Sequence, residues 1–327
     1  MVYIYKKGKK PYYYLRASER KNNKIIVKDI AYLGSSIEDV KKSLKNPKYK
    51  DKIRKAYKTI NNFIQSNHYL EKTKSLKIKK DIFLDKKLNE IEACKLHYNK
   101  EFQKNNKLTK NEILKNFIIE FAFNTTSIEG NTITLKEAKN LLENNLTPKN
   151  KTLREIYDIQ NTERVFLNIL NSKKEITNDF ITKIHSDLME NIDNRTSYRT
   201  TEVRVLKANF KATPAPYIKT DMDLLLRWYN SANLHPLVLA IIFHHKFEKI
   251  HPFMDGNGRT GRILMNYVLM KNKYPPLIIS KKNRLKYLKF LREADKSDLT
   301  KNNKENYFNL IQFTINEMIE NYWNIFL

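Results

Sequence analysis

Cysteine is nearly absent from this chain: Cys94 stands alone in 327 residues, so no internal disulfide can staple the fold. No apolar run approaches the 18 or more residues that a membrane-spanning helix needs, and no membrane partner is expected. The opening stretch, MVYIYKKGKKPYYYLRAS, lacks an apolar segment followed by a small-residue cleavage site, so a signal peptide is not expected and a cytoplasmic location is. Acidic residues are short as well, with 35 Asp+Glu against 62 Lys+Arg and a net charge of +27. Residues 1–80 hold 23 Lys+Arg against 6 Asp+Glu, which is +17 of that excess. A basic block of this kind suits an anionic partner, nucleic acid first and a membrane surface second. A general bias of the chain toward Lys, Asn and Ile explains the same excess equally well. Glycine is scarce too: six in all, three of them within HPFMDGNGRTGR at 251–262.

What is present is a 41% hydrophobic chain, long enough for a large core and more than one domain. The first 34 residues read as β-structure. Segments 2–5, 12–17 and 24–33 are rich in β-branched and aromatic residues, ERKNNK (19–24) supplies a turn, and Gly34 stops the third strand. From Ser36 the pattern turns helical, with Ser36 as N-cap and Glu38 and Asp39 in the first turn. A second helix is expected over about 50–64. The polar stretch 72–80 is the expected boundary between a small basic α+β module (1–72) and a mainly α domain (80–327). In that domain apolar spacing predicts helices over 85–102, 111–123, 135–142, 153–170, 179–189, 222–229, 235–248, 262–270, 286–295 and 307–322. Residues 199–216 break the pattern: VRVL alternates and KATPAPYI excludes helix, which predicts a short β-hairpin flap. No internal repeat at solenoid spacing occurs.

The glycine cluster has a chemical reading. Gly256, Gly258 and Gly261 surround Asn257, Arg259 and Arg262, and a helical pattern follows at once. A glycine-rich turn entering a helix N-terminus presents backbone N–H groups and the positive end of a dipole, a ready anion site. The two arginines offer guanidinium forks suited to phosphate oxygens. Asp255 would repel phosphate unless it holds Mg²⁺ that bridges phosphates. His251 is the one side chain here able to take a proton near neutral pH. The list spells a base, a metal ligand and a polyphosphate cradle.

HPFMDGNGRTGR also matches, at every fixed position, the HPFx[D/E]GNGRxxR signature of the Fic/DOC family, and HPLVLAIIFHHKFEKI (235–250) is similar to that family's preceding helix. The resemblance covers roughly residues 85–327 and implies a Fic-type helical bundle with a β-hairpin flap. It further implies transfer of AMP from ATP, with Mg²⁺, to a Ser, Thr or Tyr hydroxyl of a target protein. Carried over by position, His251 is the general base, Phe253 a core residue that sets the loop, and Asp255 the Mg²⁺ ligand between the α- and β-phosphates. Asn257 contacts the α-phosphate, and backbone N–H groups near Gly256 and Gly258 form an anion hole. Gly261 completes the nucleotide cradle, Arg259 binds the β-phosphate and Arg262 the γ-phosphate. A branch of the family with Lys at position 258 transfers phosphate instead; Gly258 favours nucleotidyl transfer.

TTSIEG, residues 125–130, raises two readings. Gly130 is a natural helix C-cap before a new N-cap at Thr134. The stretch also resembles the family's inhibitory motif [S/T]xxxE[G/N], with Thr125, Glu129 and Gly130 in the defining places. The resemblance implies that Glu129 pairs with Arg262 and blocks the γ-phosphate, and in some relatives the same glutamate serves the reverse removal of AMP. It also places a target segment beside the flap at 199–216, where Arg199 and Arg204 are either solvated charges or substrate contacts. His244 and His245 read as structural, and Tyr287 either packs between helices or lines the adenine pocket. A different class of function competes: a nucleic-acid-binding regulator whose basic residues 1–80, with Tyr12, Tyr13, Tyr14, Arg16, Arg20 and Lys24, carry the main role. The residues do not fix an oligomeric state, and a homo-oligomer is compatible with them.

Overall fold

The computed structural model describes residues 1–8, 11–22, 24–203 and 212–327. Three antiparallel strands open the chain in the order β1 (Val2–Lys7), β2 (Tyr12–Lys21), β3 (Lys24–Gly34). Each runs a little beyond its predicted end; Asn23, in the predicted turn, lies outside the described residues. Alternation along the strands sends Ile4, Tyr13, Leu15 and Leu33 to one face, where they form a core with Ile37 and Val40 of α1 (Ile37–Ser43) and Ile60 of α3 (Tyr57–Thr73). Ser36 caps α1 in a reciprocal box with Asp39.

The helix predicted over 50–64 is two: α2 (Lys50–Lys55) stops at Ala56, and α3 continues to Thr73. Nothing in the local sequence accounts for the break. α3 matters because it belongs to both cores. Ile60 sits in the N-terminal core, while Tyr69 sits in the main core and donates its hydroxyl to Glu101 Oε1 at 2.7 Å. The junction is therefore spanned by a packed helix, with the irregular basic stretch following it.

The main body is helical: α4 (Leu88–Lys100), α5 (Lys107–Glu129), α6 (Leu135–Asn144), α7 (Leu153–Leu170), α8 (Asn178–Met189), α9 (Ile218–Ser231), α10 (Pro236–Ile250), α11 (Asn257–Lys271), α12 (Arg284–Ala294) and α13 (Lys304–Ile325). α10 is apolar around most of its circumference and buried along its length, as a central helix must be. It packs on α9, α11 and α13, while α5 and α7 pack on α11 from the other side. That arrangement brings the ends of α5, α7, α8 and α10 to the start of α11. Of the predicted flap, residues 204–211 and with them Arg204 lie outside the described residues.

Candidate active site

α10 ends at His251, whose backbone enters the left-handed region (φ 53°) and turns the chain into the loop. Phe253 is fully buried and anchors that loop, with its ring stacked on His185 at 3.6 Å between centroids. His185 Nε2 lies 2.9 Å from the Asp255 carbonyl oxygen and Nδ1 3.2 Å from that of Thr196. Asn257 accepts from Phe253 N at 2.9 Å and donates to Phe253 O at 2.8 Å. Both ends of this amide are thus spent on shaping the loop. The second N–H of its Nδ2 and its backbone N–H at the start of the next helix are the donors it has left for a phosphate.

α11 begins at Asn257, directly behind Gly256 (φ 74°). This corrects the picture of a glycine-rich loop reaching Gly261, because Gly258 and Gly261 are already helical. Only Gly256 uses a left-handed backbone. The other two make room. A Cβ at Gly258 would overlap Glu129 Oε1, and one at Gly261 would sit 2.6 Å from His244 Nδ1 and 2.8 Å from Glu248 Oε1. What comes close to this backbone is a carboxylate at 258 and the preceding helix at 261. No side chain caps α11, so the amides of its first turn remain available to an anion.

Glu129 ends α5, with Gly130 as its left-handed cap (φ 114°). Its carboxylate bridges both arginines: Arg262 Nη2 donates to Oε1 at 2.7 Å and Arg259 Nε to Oε2 at 2.8 Å. Arg262 also donates to Thr125 Oγ1 at 2.6 Å and Thr125 O at 3.0 Å. Arg259 has a second carboxylate, Asp158 of α7, on Nη1. One turn earlier on α7, Arg154 pairs with Asp255. Arg259 and Arg262 are 2% and 3% exposed, so each buried charge is neutralised by a carboxylate, as burial demands.

The charges set the protonation states. Burial pushes His251 down to about 4, so the imidazole is neutral at pH 7. Its Nδ1 lies 3.3 Å from the Glu248 carbonyl oxygen, which fixes the proton there and leaves Nε2 as the acceptor. Burial alone would raise Asp255, but Arg259 and Arg154 hold its carboxyl below the usual range. Burial lifts Glu248 to about 8, and among the described residues its Oε1 has no hydrogen-bond partner. These groups line a cleft of about 410 Å³ that includes Glu129, His251, Asp255, Gly258, Arg262 and Tyr287. A larger hollow of about 1010 Å³ beside α5 carries none of them.

Sequence reasoning therefore names the residues that converge: Thr125, Glu129, Gly130, His251, Asp255, Gly256, Asn257, Gly258, Arg259, Gly261 and Arg262 come from three helix ends to one place. It misses Arg154, Asp158 and His185, whose roles depend on α7 and α8 crossing the loop and leave no local signal. It leaves Arg199 open between a solvated charge and a substrate contact. That residue is neither a solvated charge nor exposed: its guanidinium donates to His251 O at 2.9 Å and to Thr201 O at 2.9 Å, and also to Thr213 O, tying Thr201 and Thr213 to the loop. His244 bonds Tyr287, and His245 lies 3.0 Å from Asp295 and 3.1 Å from the Tyr307 hydroxyl, so both are structural as expected. Tyr287 is buried, yet it lines the cleft.

Fold and site together define a mainly helical protein with a polar cleft where a carboxylate of the same chain bridges two arginines. Residues 175–269 match the model of the Fic/DOC family, and the chain carries a domain of that family. It is 35% identical over 197 residues to the protein adenylyltransferase Fic of Drosophila ananassae and 36% identical to that of Drosophila erecta. The matches cover 57% of this chain and 38% and 39% of those proteins, so the chain spans about two fifths of the length of these relatives. Its fold resembles that of a Fic-domain signalling protein of Bacteroides thetaiotaomicron (TM-score 0.64, 24% identity, 70% of this chain and 94% of that one). It also resembles that of Fic-1 of C. elegans (TM-score 0.60, 22% identity, 88% and 81%).

Proposed function

We propose that this chain transfers AMP from ATP to a Ser, Thr or Tyr hydroxyl of a target protein, and that Glu129 holds the resting site closed. The observation that carries the reading is the double bridge from Glu129 to Arg259 and Arg262. A carboxylate accepting from both guanidinium groups occupies the donors that two phosphates would use, and one donor set cannot serve both well. The relatives named protein adenylyltransferase support the reaction class.

In the open state the target hydroxyl oxygen attacks the α-phosphorus, and the bond from that phosphorus to the oxygen bridging the β-phosphate breaks. Pyrophosphate leaves, and the hydroxyl proton passes to His251 Nε2. Arg262 and Arg259 neutralise the γ- and β-phosphates, and the first-turn amides of α11 face the α-phosphate. Ile128, Leu288 and Leu291 give the cleft an apolar wall for a purine ring. Positioning and charge carry most of such a transfer.

Among the described residues no three carboxylate, histidine or cysteine side chains cluster as a metal site. Mg²⁺ needs none, since it keeps waters and takes one or two carboxylates together with phosphates. Asp255 fits: its side chain is 34% exposed at the cleft, and it would exchange Arg154 for the ion. When bound, Mg²⁺ would supply charge neutralisation to the phosphates, with Asp255 as its protein ligand. The target segment docks beside residues 199–216, where Arg199 ties Thr201 and Thr213 to the loop that carries His251. The same reading extends to the reverse reaction, in which the Glu129 carboxylate would align a water for removal of AMP. ATP labelled at the α-phosphate tests the reading: label passes to protein with wild type and not with His251→Ala. Transfer from the γ-phosphate instead would overturn it.

A further inference from the structure

Among the described residues, helices pack on one face of the three-stranded sheet. Opposite the core face, alternation and register line up Tyr3, Tyr5 and Lys7 of β1 with Arg16, Tyr14 and Tyr12 of β2, and Tyr32 of β3 pairs with Tyr14. Tyr5, Tyr12 and Tyr32 are 37%, 46% and 53% exposed, although tyrosine on a strand ordinarily packs. The rings form one patch: Tyr14 and Tyr12 lie 5.4 and 6.3 Å from Tyr32, centroid to centroid. Cations are interleaved with them. The Arg16 guanidinium lies 3.5 Å from the Tyr5 ring centroid, and Lys7 Nζ 6.0 Å from that of Tyr14. Arg16 is also paired with Asp29, one of only two acidic residues among the first 34, against nine Lys and Arg.

We propose that this face binds single-stranded nucleic acid, with bases stacked on Tyr5, Tyr12, Tyr14 and Tyr32 and phosphates on the surrounding lysines and arginines. The charge complementarity selects a polyanion, and the exposed rings select one whose bases are unpaired, because stacking needs a free π-face. A duplex hides its base faces and would use the cations alone. None of these residues lies in the cleft at α11, so the inference stands apart from the proposed transfer of AMP.

Fluorescence anisotropy of the full chain with labelled single strands of about 16 nucleotides, DNA and RNA, tests it, alongside a duplex of the same sequence. The single strands bind more tightly than the duplex at low salt. Affinity falls about fiftyfold between 50 and 200 mM salt for four phosphate contacts. Tyr5→Leu and Tyr32→Leu each weaken binding about tenfold, at the cost of one stacked base. Tyr5→Phe and Tyr32→Phe retain it, and exposed Lys136→Gln, on α6, changes nothing. Unchanged melting temperatures show that the variants fold. Absence of binding, binding indifferent to both leucine variants, or a duplex held as tightly as the single strand would overturn the proposal. Capture by phosphatidylserine vesicles that the oligonucleotides fail to displace would do the same.

Discussion

Replacing Glu129 with glycine removes one carboxylate and leaves both arginines held. Arg262 keeps Thr125 Oγ1 and O, and Arg259 keeps Asp158, so the cleft loses its plug without losing its walls. To seat a γ-phosphate, the wild-type chain must first break the 2.7 Å bond from Arg262 to Glu129. A hydrogen bond between charged groups contributes about 1.5–3 kcal/mol, and each 1.4 kcal/mol is a factor of ten. Glu129→Gly should therefore raise AMP incorporation, and tighten ATP, by about 10- to 150-fold. Glu129→Gln, which keeps one acceptor but no charge, should fall between. The assay pairs the rate of label transfer from α-phosphate-labelled ATP with ATP affinity by calorimetry, on variants that still melt cooperatively. A folded Glu129→Gly protein with no gain in either quantity would refute the plug.

Gly261→Ala should destabilise the fold by about 1–3 kcal/mol in urea unfolding. Its Cβ would be 2.6 Å from His244 Nδ1 on the neighbouring helix, and a rigid helix pair cannot absorb that. Gly130→Ala meets no described atom within 4 Å, but its φ of 114° lies beyond the left-handed well open to other residues, so it should cost about 1–3 kcal/mol in backbone strain alone. Asn257→Ala strips both hydrogen bonds from the Phe253 backbone, costing about 1–3 kcal/mol for buried groups left unpaired. It should lower kcat more than it raises KM for ATP, because it loosens the loop that carries His251. Burial holds His97 and His251 at about 4 in the fold, below the unfolded value near 6.5. The unfolded chain alone binds these protons in that window, so stability is lost as pH falls from about 6.5 toward 4. Unfolding free energies from urea titrations at pH 7 and pH 5 should differ by up to about 2 kcal/mol per group.

The helical body could be read from spacing because its helices are amphipathic or wholly apolar. α7 was predicted over 153–170, the span it occupies. The site could be read because its residues lie in two short segments, 125–130 and 251–262, whose side-chain chemistry is explicit. What could not be read is what depends on crossing elements. Asp158 and Arg154 are ordinary charges of an amphipathic helix until α7 is laid against α11. His185 is one apolar-face histidine until Phe253 stacks on it, and Arg199 shows its burial only when Thr201, Thr213 and His251 close around it. The glycines show the same limit. Scarcity announced a close approach, but only the packed structure tells that Gly258 yields to Glu129 and Gly261 to α10.

Intact-protein mass spectrometry of wild type, Glu129→Gly and Glu129→Gly with His251→Ala, each incubated with ATP, Mg²⁺ and a lysate of candidate targets, tests the central claim most directly. The account predicts the mass of one AMP unit on a protein hydroxyl, scarce with wild type, abundant with Glu129→Gly and absent once His251 is removed. A phosphate mass in its place, or AMP addition that persists without His251, would contradict it.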